Sequence, residues 1–293
     1  MGITAAEVKE LRERTGAGMM ECKKALEKSA GDMELAVEEL RKSGRAKADK
    51  KAGRVAAEGI IIIRTSADGK QSVMLEINSE TDFVARDENF LAFADAVATT
   101  ALATKTKDVQ TLSATVLAGS DMTIDEARHA LIAKVGENIN IRRIVMIDAA
   151  TTIGTYLHGS RIGVLVQLDV DNMDLAKDIA MHVAASKPLV IQPSEVSADL
   201  VAKEKEIYLA QAAGSGKPQD IIEKMVAGKL KKYLDEISLV GQPFIKDPDT
   251  LVSSLLSKHA AKVISFTRFE AGEGIEKESE DFVEAVMAQV HGS

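Results

Sequence analysis

The chain has 293 residues, 45% hydrophobic and 28% charged, the balance of a folded protein with room for two or three domains. Its 37 Lys and Arg against 45 Asp and Glu leave a net charge of −8, which argues against indiscriminate wrapping of nucleic acid, because phosphate affinity needs clustered cations. One cysteine, Cys22, excludes an intrachain disulfide, and the longest aliphatic run, residues 60–63, is far too short to span a bilayer.

The first residues lack a basic head followed by an apolar stretch, so a cytoplasmic chain is expected. Residues 3–44 read as three short helices. Thr4 and Glu7 form a Thr-x-x-Glu capping box, Ile3 and Val8 flank it as a staple, and Gly16 stops the first helix. The second is expected over about residues 19–30, with Cys22, Ala25 and Leu26 inward. Asp32 caps a third, which buries Met33, Val37 and Leu40 and ends at Gly44. Residues 45–54, with Lys47, Lys50 and Lys51, read as a linker or an exposed helix extension whose basic face is solvated rather than bound to nucleic acid.

From residue 59 the periodicity is that of strands. Segments 60–65 and 72–78 flank Asp68-Gly69, a strong hairpin signal, and Val73, Leu75 and Ile77 share one face. A helix follows, with Phe90, Phe93, Ala94, Val97 and Ala101 at helical spacing. Residues 104–123 are polar and uninformative, and 124–135 read as a helix. Residues 138–147 read as a strand, 156–161 as a tight turn into a strand over 162–168, and 173–186 as a helix stopped by Pro188. The second appearance of hairpin, strand and helix predicts two related α+β subdomains, each a small antiparallel sheet covered by helices.

Residues 197–236 predict a projecting antiparallel helical hairpin around Gly214-Ser215-Gly216-Lys217-Pro218. Leu200, Glu204, Ile207, Ala210 and Gln211 are expected to line one arm, and Ile221, Met225, Leu230 and Leu234 the other. A helix near residues 250–259 leads into a strand over 262–269 that returns to the second sheet, and 281–290 reads as a terminal amphipathic helix.

No motif for covalent chemistry stands out. Gly214-Ser215-Gly216-Lys217 is not a phosphate loop, since Gln211 fills the first glycine position and Pro218 follows the lysine where a hydroxyl is needed for magnesium. The five histidines, 129, 158, 182, 259 and 291, are scattered, without zinc-ligand spacing to one another or to Cys22. What remains is contact surface. With aromatics at 3% and no tryptophan, each Phe matters. For Phe83, between a strand and a helix, a core role and a loop-borne aromatic probe both fit. For Met19 and Met20 the expectation is one packed inward and one free as a flexible contact.

The segments carrying these residues resemble the bacterial translation elongation factor Ts family. The resemblance rests on Leu11-Arg12-Glu13-Arg14-Thr15-Gly16-Ala17-Gly18-Met19-Met20 with Cys22-Lys23-Lys24-Ala25-Leu26, and on Thr81-Asp82-Phe83-Val84-Ala85-Arg86. Val135-Gly136-Glu137-Asn138-Ile139-Asn140-Ile141-Arg142-Arg143, His158-Gly159-Ser160-Arg161, Ala180-Met181-His182-Val183 and Gly241-Gln242-Pro243-Phe244 extend it nearly end to end. Arg268-Phe269-Glu270 and Gly272-Glu273-Gly274 close it.

The resemblance implies an α+β protein with a ubiquitin-associated-like (UBA-like) module over 1–53 and a core N-subdomain over 54–139. A core C-subdomain is implied over 140–196 and 237–271, a coiled-coil or dimerisation hairpin over 197–236, and a C-terminal helical module over 272–293. It implies a non-enzymatic nucleotide-exchange factor whose partner is elongation factor Tu, GDP-bound and nucleotide-free. No cofactor, metal, membrane or direct nucleic-acid ligand is implied, and homodimerisation would run through the hairpin. Thr81, Asp82, Phe83 and Val84 match the segment that disturbs the GTPase magnesium site. Arg12, Met19, Met20, Lys23, Val135, Gly136 and His158 match further contacts.

Overall fold

The computed structural model describes residues 2–213 and 218–276. The fold is α+β, and it opens with three helices, α1 (Ala5–Thr15), α2 (Met19–Lys28) and α3 (Met33–Lys51). The Thr4–Glu7 capping box forms as expected, and Gly16 closes α1 in the left-handed region at φ 69°. Val8, Leu11, Cys22, Ala25, Leu26 and Ala36 make a small core of their own. Burial pushes the Cys22 thiol pKa up, leaving an inert apolar side chain. Helix α2 ends at Lys28, two residues earlier than its pattern suggests.

Gly44 does not end α3. The helix runs through it to Lys51, and Gly44 is buried where α3 meets a later helix: a Cβ there would lie 3.6 Å from Ala133 Cβ. The glycine marks a close helix crossing rather than a stop, and the basic stretch after it continues the helix.

Two compact units divide the chain. The first holds residues 2–64, 73–146 and 269–276. Strands β1 (Glu58–Thr65) and β2 (Gln71–Ser79) are followed by the single turn α4 (Asp82–Ala85) and by α5 (Glu88–Thr104). Then come α6 (Val109–Ala114), α7 (Ile124–Val135) and β3 (Ile139–Asp148), with β2 between β1 and β3. The polar stretch 104–123 thus contains a helix, capped by the Asp108 side chain on Thr111 N–H and anchored by buried Leu112. Phe90, Phe93, Ala94, Val97, Ala98 and Ala101 of α5 pack with Val73, Leu75 and Ile77 of β2 and Ile132 of α7. Ala48 of α3 joins this same core.

Burial in β2 is not confined to alternate residues, for Ser72, Met74, Glu76 and Asn78 are buried too. Glu76 accepts Arg142 at 3.0 Å, Arg143 at 2.5 Å, Asn78 at 3.0 Å and the Gly272 N–H at 2.7 Å. Burial raises its pKa, but these donors outweigh burial and hold the carboxyl below the usual glutamate range.

The second unit holds residues 65–72 and 147–268. Strands β4 (Ile153–His158) and β5 (Ile162–Leu168) pair antiparallel, from Ile153 opposite Gln167 to His158 opposite Ile162. Helix α8 (Met173–Ser186) covers them with Leu175, Ala176, Ile179, Ala180 and Val183. Gly154 permits that approach, since a Cβ there would lie 2.3 Å from the Ala176 carbonyl carbon. Helices α9 (Ala198–Ala213) and α10 (Gln219–Ile237) pack together as the predicted hairpin. Its seam follows the expected one in part: Leu200, Glu204, Met225, Leu230 and Leu234 are half-buried, but Ile207 and Ile221 are 47% and 39% exposed, and Ala212 and Val226 are buried.

A small ladder of β6 (Pro243–Phe244) and β7 (Asp247–Leu251), helix α11 (Val252–Lys258) and β8 (Val263–Glu270) complete the description. Strand β8 joins β5, giving the order β4-β5-β8 and the expected return to the second sheet. At the root of the hairpin His182, fully buried, meets Gln242 Oε1 through Nε2 at 2.9 Å and accepts the Ile245 N–H at Nδ1, 3.2 Å. Gln242 in turn donates to the carbonyls of Glu236 and Ser186. The terminal helix expected over 281–290 and the loop 214–217 lie outside the described residues.

Candidate functional site

Helix α4 is one turn long, too short to persist by propensity alone, so its direction is set by what holds its ends. Thr81 caps it, accepting the Val84 N–H at 3.4 Å. The Thr81 N–H and hydroxyl both donate to the Glu137 carboxylate, at 3.0 and 2.7 Å. Ala85 is buried and Val84 packs against the core, whereas Phe83 points outward and is 82% exposed. The core reading of Phe83 is therefore not realised. Asp82 makes a surface pair with Arg86 at 2.9 Å.

Directly beside this turn lies the end of α7. Gly136 closes that helix at φ 82°, and the space where its Cβ would stand is open. Val135 is half-buried. The Asn138 N–H donates to Glu80 Oε1 at 2.6 Å, and Glu80 pairs with Arg54 at 3.3 Å. Thr81, Asp82, Phe83 and Val84 are thereby brought together with Val135 and Gly136.

Met19 and Met20 are 59% and 63% exposed, so neither packs inward as one of them was expected to. Lys23 is exposed with them, whereas Cys22, Ala25 and Leu26 of the same helix are buried. Arg12 is exposed on α1. In the second unit His158 is exposed at the end of β4, with Tyr156 Oη 3.2 Å from its Nδ1.

Three side chains of the basic run after Gly44 have internal partners. Lys47 pairs with Glu21, Lys51 donates to the Gly136 carbonyl and Arg54 pairs with Glu80.

A cleft of about 470 Å³ is lined by residues of α1, α2, α3 and α7 and of the loop before α7. Its lining mixes Val37, Leu40, Ala130 and Ala133 with charges of both signs. His129 lies there, its pKa lowered by burial and then by the neighbouring Arg128. Among the described residues no group of three His, Cys, Asp or Glu side chains is gathered to hold a metal. No helix among them is long and apolar enough to cross a membrane.

Glu80, Glu137, Arg54 and Asn138, which brace the turn, were not singled out as site residues by sequence reasoning. The signal available was two carboxylates, Glu80 just before the Thr81 motif and Glu137 inside the one that carries Val135 and Gly136.

An exposed aromatic on a braced turn beside a glycine-capped helix end, with an exposed methionine pair on α2, makes a candidate contact surface. The family profile described as "Elongation factor TS" matches residues 80–273. Elongation factor Ts of Legionella pneumophila (strain Philadelphia 1) is 58% identical over 98% of this chain and 98% of its own. The same-named proteins of Thioalkalivibrio sulfidiphilus and Methylococcus capsulatus are each 57% identical over the full length of both chains. The chain belongs to the elongation factor Ts family, and its role is that of a translation elongation factor.

Proposed function

We propose that the chain binds the GDP complex of elongation factor Tu, weakens magnesium and GDP binding there, and so promotes exchange of GDP for GTP. The observation that carries this reading is the outward position of Phe83, 82% exposed on a turn braced from behind. An aromatic ring held out of its own core is an insertion device: buried in a partner, it gains the apolar area that it forgoes in the free protein. Asp82 and Phe83 act at the magnesium side of the nucleotide site. Val135 and Gly136 add a second contact, and His158 a further one.

Linkage supplies the mechanism. A partner that binds the nucleotide-free GTPase more tightly than the GDP form must weaken GDP by the same factor. The protein needs no acid, base or cofactor for this and is not an enzyme. We assign residues 1–53 as the UBA-like docking module, with Arg12, Met19, Met20 and Lys23 as its contacts. The α9–α10 arm is the coiled-coil element, through which any homodimer forms. The place of action is the cytoplasm.

The test is release of fluorescent GDP from elongation factor Tu. The wild-type protein accelerates release, and Phe83→Ala slows it by about 30-fold, the loss of one aromatic anchor. No acceleration by folded wild-type protein on a cognate GTPase sinks the exchange reading.

A further inference from the structure

We infer that Glu137 is a positioning residue that aims Phe83, and that it does so by latching the turn before α4 to the turn after α7. The inference rests on the exchange reading above and extends it to residues that touch no partner.

The geometry is reciprocal. Glu137 accepts both donors of Thr81, the backbone N–H at 3.0 Å and the hydroxyl at 2.7 Å. Glu80, the residue before Thr81, accepts the backbone N–H of Asn138, the residue after Glu137, at 2.6 Å. Each turn thus gives its carboxylate to the other's backbone, and both links are charge-assisted.

The latch also fixes the helix cap. With its proton committed to Glu137, the Thr81 hydroxyl is left to accept the Val84 N–H and close α4. Phe83 lies within that turn, with no buried contact of its own to hold it.

A third segment secures the pair. Lys51 donates to the Gly136 carbonyl, Arg54 pairs with Glu80 at 3.3 Å, and the Asn138 side-chain amide donates to the Arg54 carbonyl at 2.8 Å. Phe83 and Gly136 therefore move as one body with the end of α3. The bonds of Glu137 go to Thr81 and not to the core, so removing its carboxylate loosens the aim of Phe83 first.

The experiment measures GDP release from elongation factor Tu against concentration of this protein, for wild type, Glu137→Ala, Glu137→Gln, Phe83→Ala and the double variant Phe83→Ala/Glu137→Ala. The expected result for Glu137→Ala is a maximal release rate lower by about tenfold, the loss of hydrogen bonds to a charged acceptor, with the half-saturating concentration within about twofold of wild type. Glu137→Gln keeps the shape and one acceptor and recovers part of the rate. The double variant is no slower than Phe83→Ala alone, because a residue that acts through Phe83 has nothing to position once the ring is gone.

A wild-type rate in both Glu137 variants overturns the inference while leaving the exchange reading intact, as does a double variant that loses the product of the two single effects. A Phe83→Ala variant as fast as wild type removes the wedge and the inference with it. Should Glu137→Ala fail to fold, Glu137→Gln in the two Phe83 backgrounds gives the same comparison, and additive losses there refute the latch.

Discussion

Glu76 is the residue whose surroundings say most about how the first unit is held together. It lies fully buried in β2, and its carboxylate is neutralised by Arg142 and Arg143 of β3 and by the Gly272 N–H. Such a pair is poor evidence of net stability, but breaking it strands the remaining charges. Glu76→Gln is expected to destabilise the protein by about 3–5 kcal/mol, read by urea unfolding. Its folded pKa is depressed, so its contribution is present above the unfolded glutamate value and lost as pH falls through the folded one.

His182 responds differently. Burial lowers its pKa, and Gln242 opposes that only in part. The groups around it are uncharged: Gln242, the Ile245 N–H and the Phe244 ring. Asp178, one turn earlier on its own helix, is paired with Lys246. The unfolded chain takes up the proton first, so stability falls as pH drops below the ordinary histidine value near 6.5, by up to about 1.4 kcal/mol per pH unit. His182→Gln should flatten that slope in unfolding curves measured between pH 7 and 5.

At the scale of elements, the glycines separate into those that end a helix and those that let two elements meet. Gly44 belongs to the second kind yet has room, with Ala133 Cβ at 3.6 Å and the His129 carbonyl at 3.9 Å from a built Cβ. Gly44→Ala is expected to stabilise α3 by up to about 1 kcal/mol, seen as a higher melting temperature. Gly59 has φ 137°, and its Cβ would fall 2.2 Å from the Ile77 carbonyl oxygen. Gly59→Ala should therefore destabilise by more than Gly44→Ala gains, in the same melting experiment. Periodicity found α1, α5, α7 and α8 because their apolar spacing and caps are local. It missed α6, whose single buried anchor, Leu112, is too little signal. It placed the hairpin seam correctly at Leu200, Met225, Leu230 and Leu234 but missed at Ile207, because Ile207 and Tyr208 offer adjacent apolar stripes and only the packing of α9 on α10 chooses between them.

At the scale of the whole molecule, the first three helices are not an independent bead. Their own core is six buried residues, and Ala48 of α3 belongs to the core built by α5, α7 and the first sheet. A fragment of residues 2–53 loses that anchor and the bonds of Lys51 and Arg54. It is expected to melt well below the intact chain by circular dichroism, as small cores do.

The sequence by itself determined the helix caps, the hairpin turn at Asp68-Gly69, the α+β class and the family, because each is written in neighbouring residues or in ordered motifs. It also narrowed the candidate site to the segments around Met19, Phe83 and Gly136. Only the tertiary structure decided that Phe83 faces outward, that both methionines are exposed, that Gly44 is a crossing point, and that Glu80 and Glu137 brace the aromatic turn. Those outcomes depend on partners 56 to 89 residues away along the chain, as with Thr81 and Glu137 or Gly44 and Ala133. No local pattern encodes which of several exposed-looking carboxylates will meet across that distance.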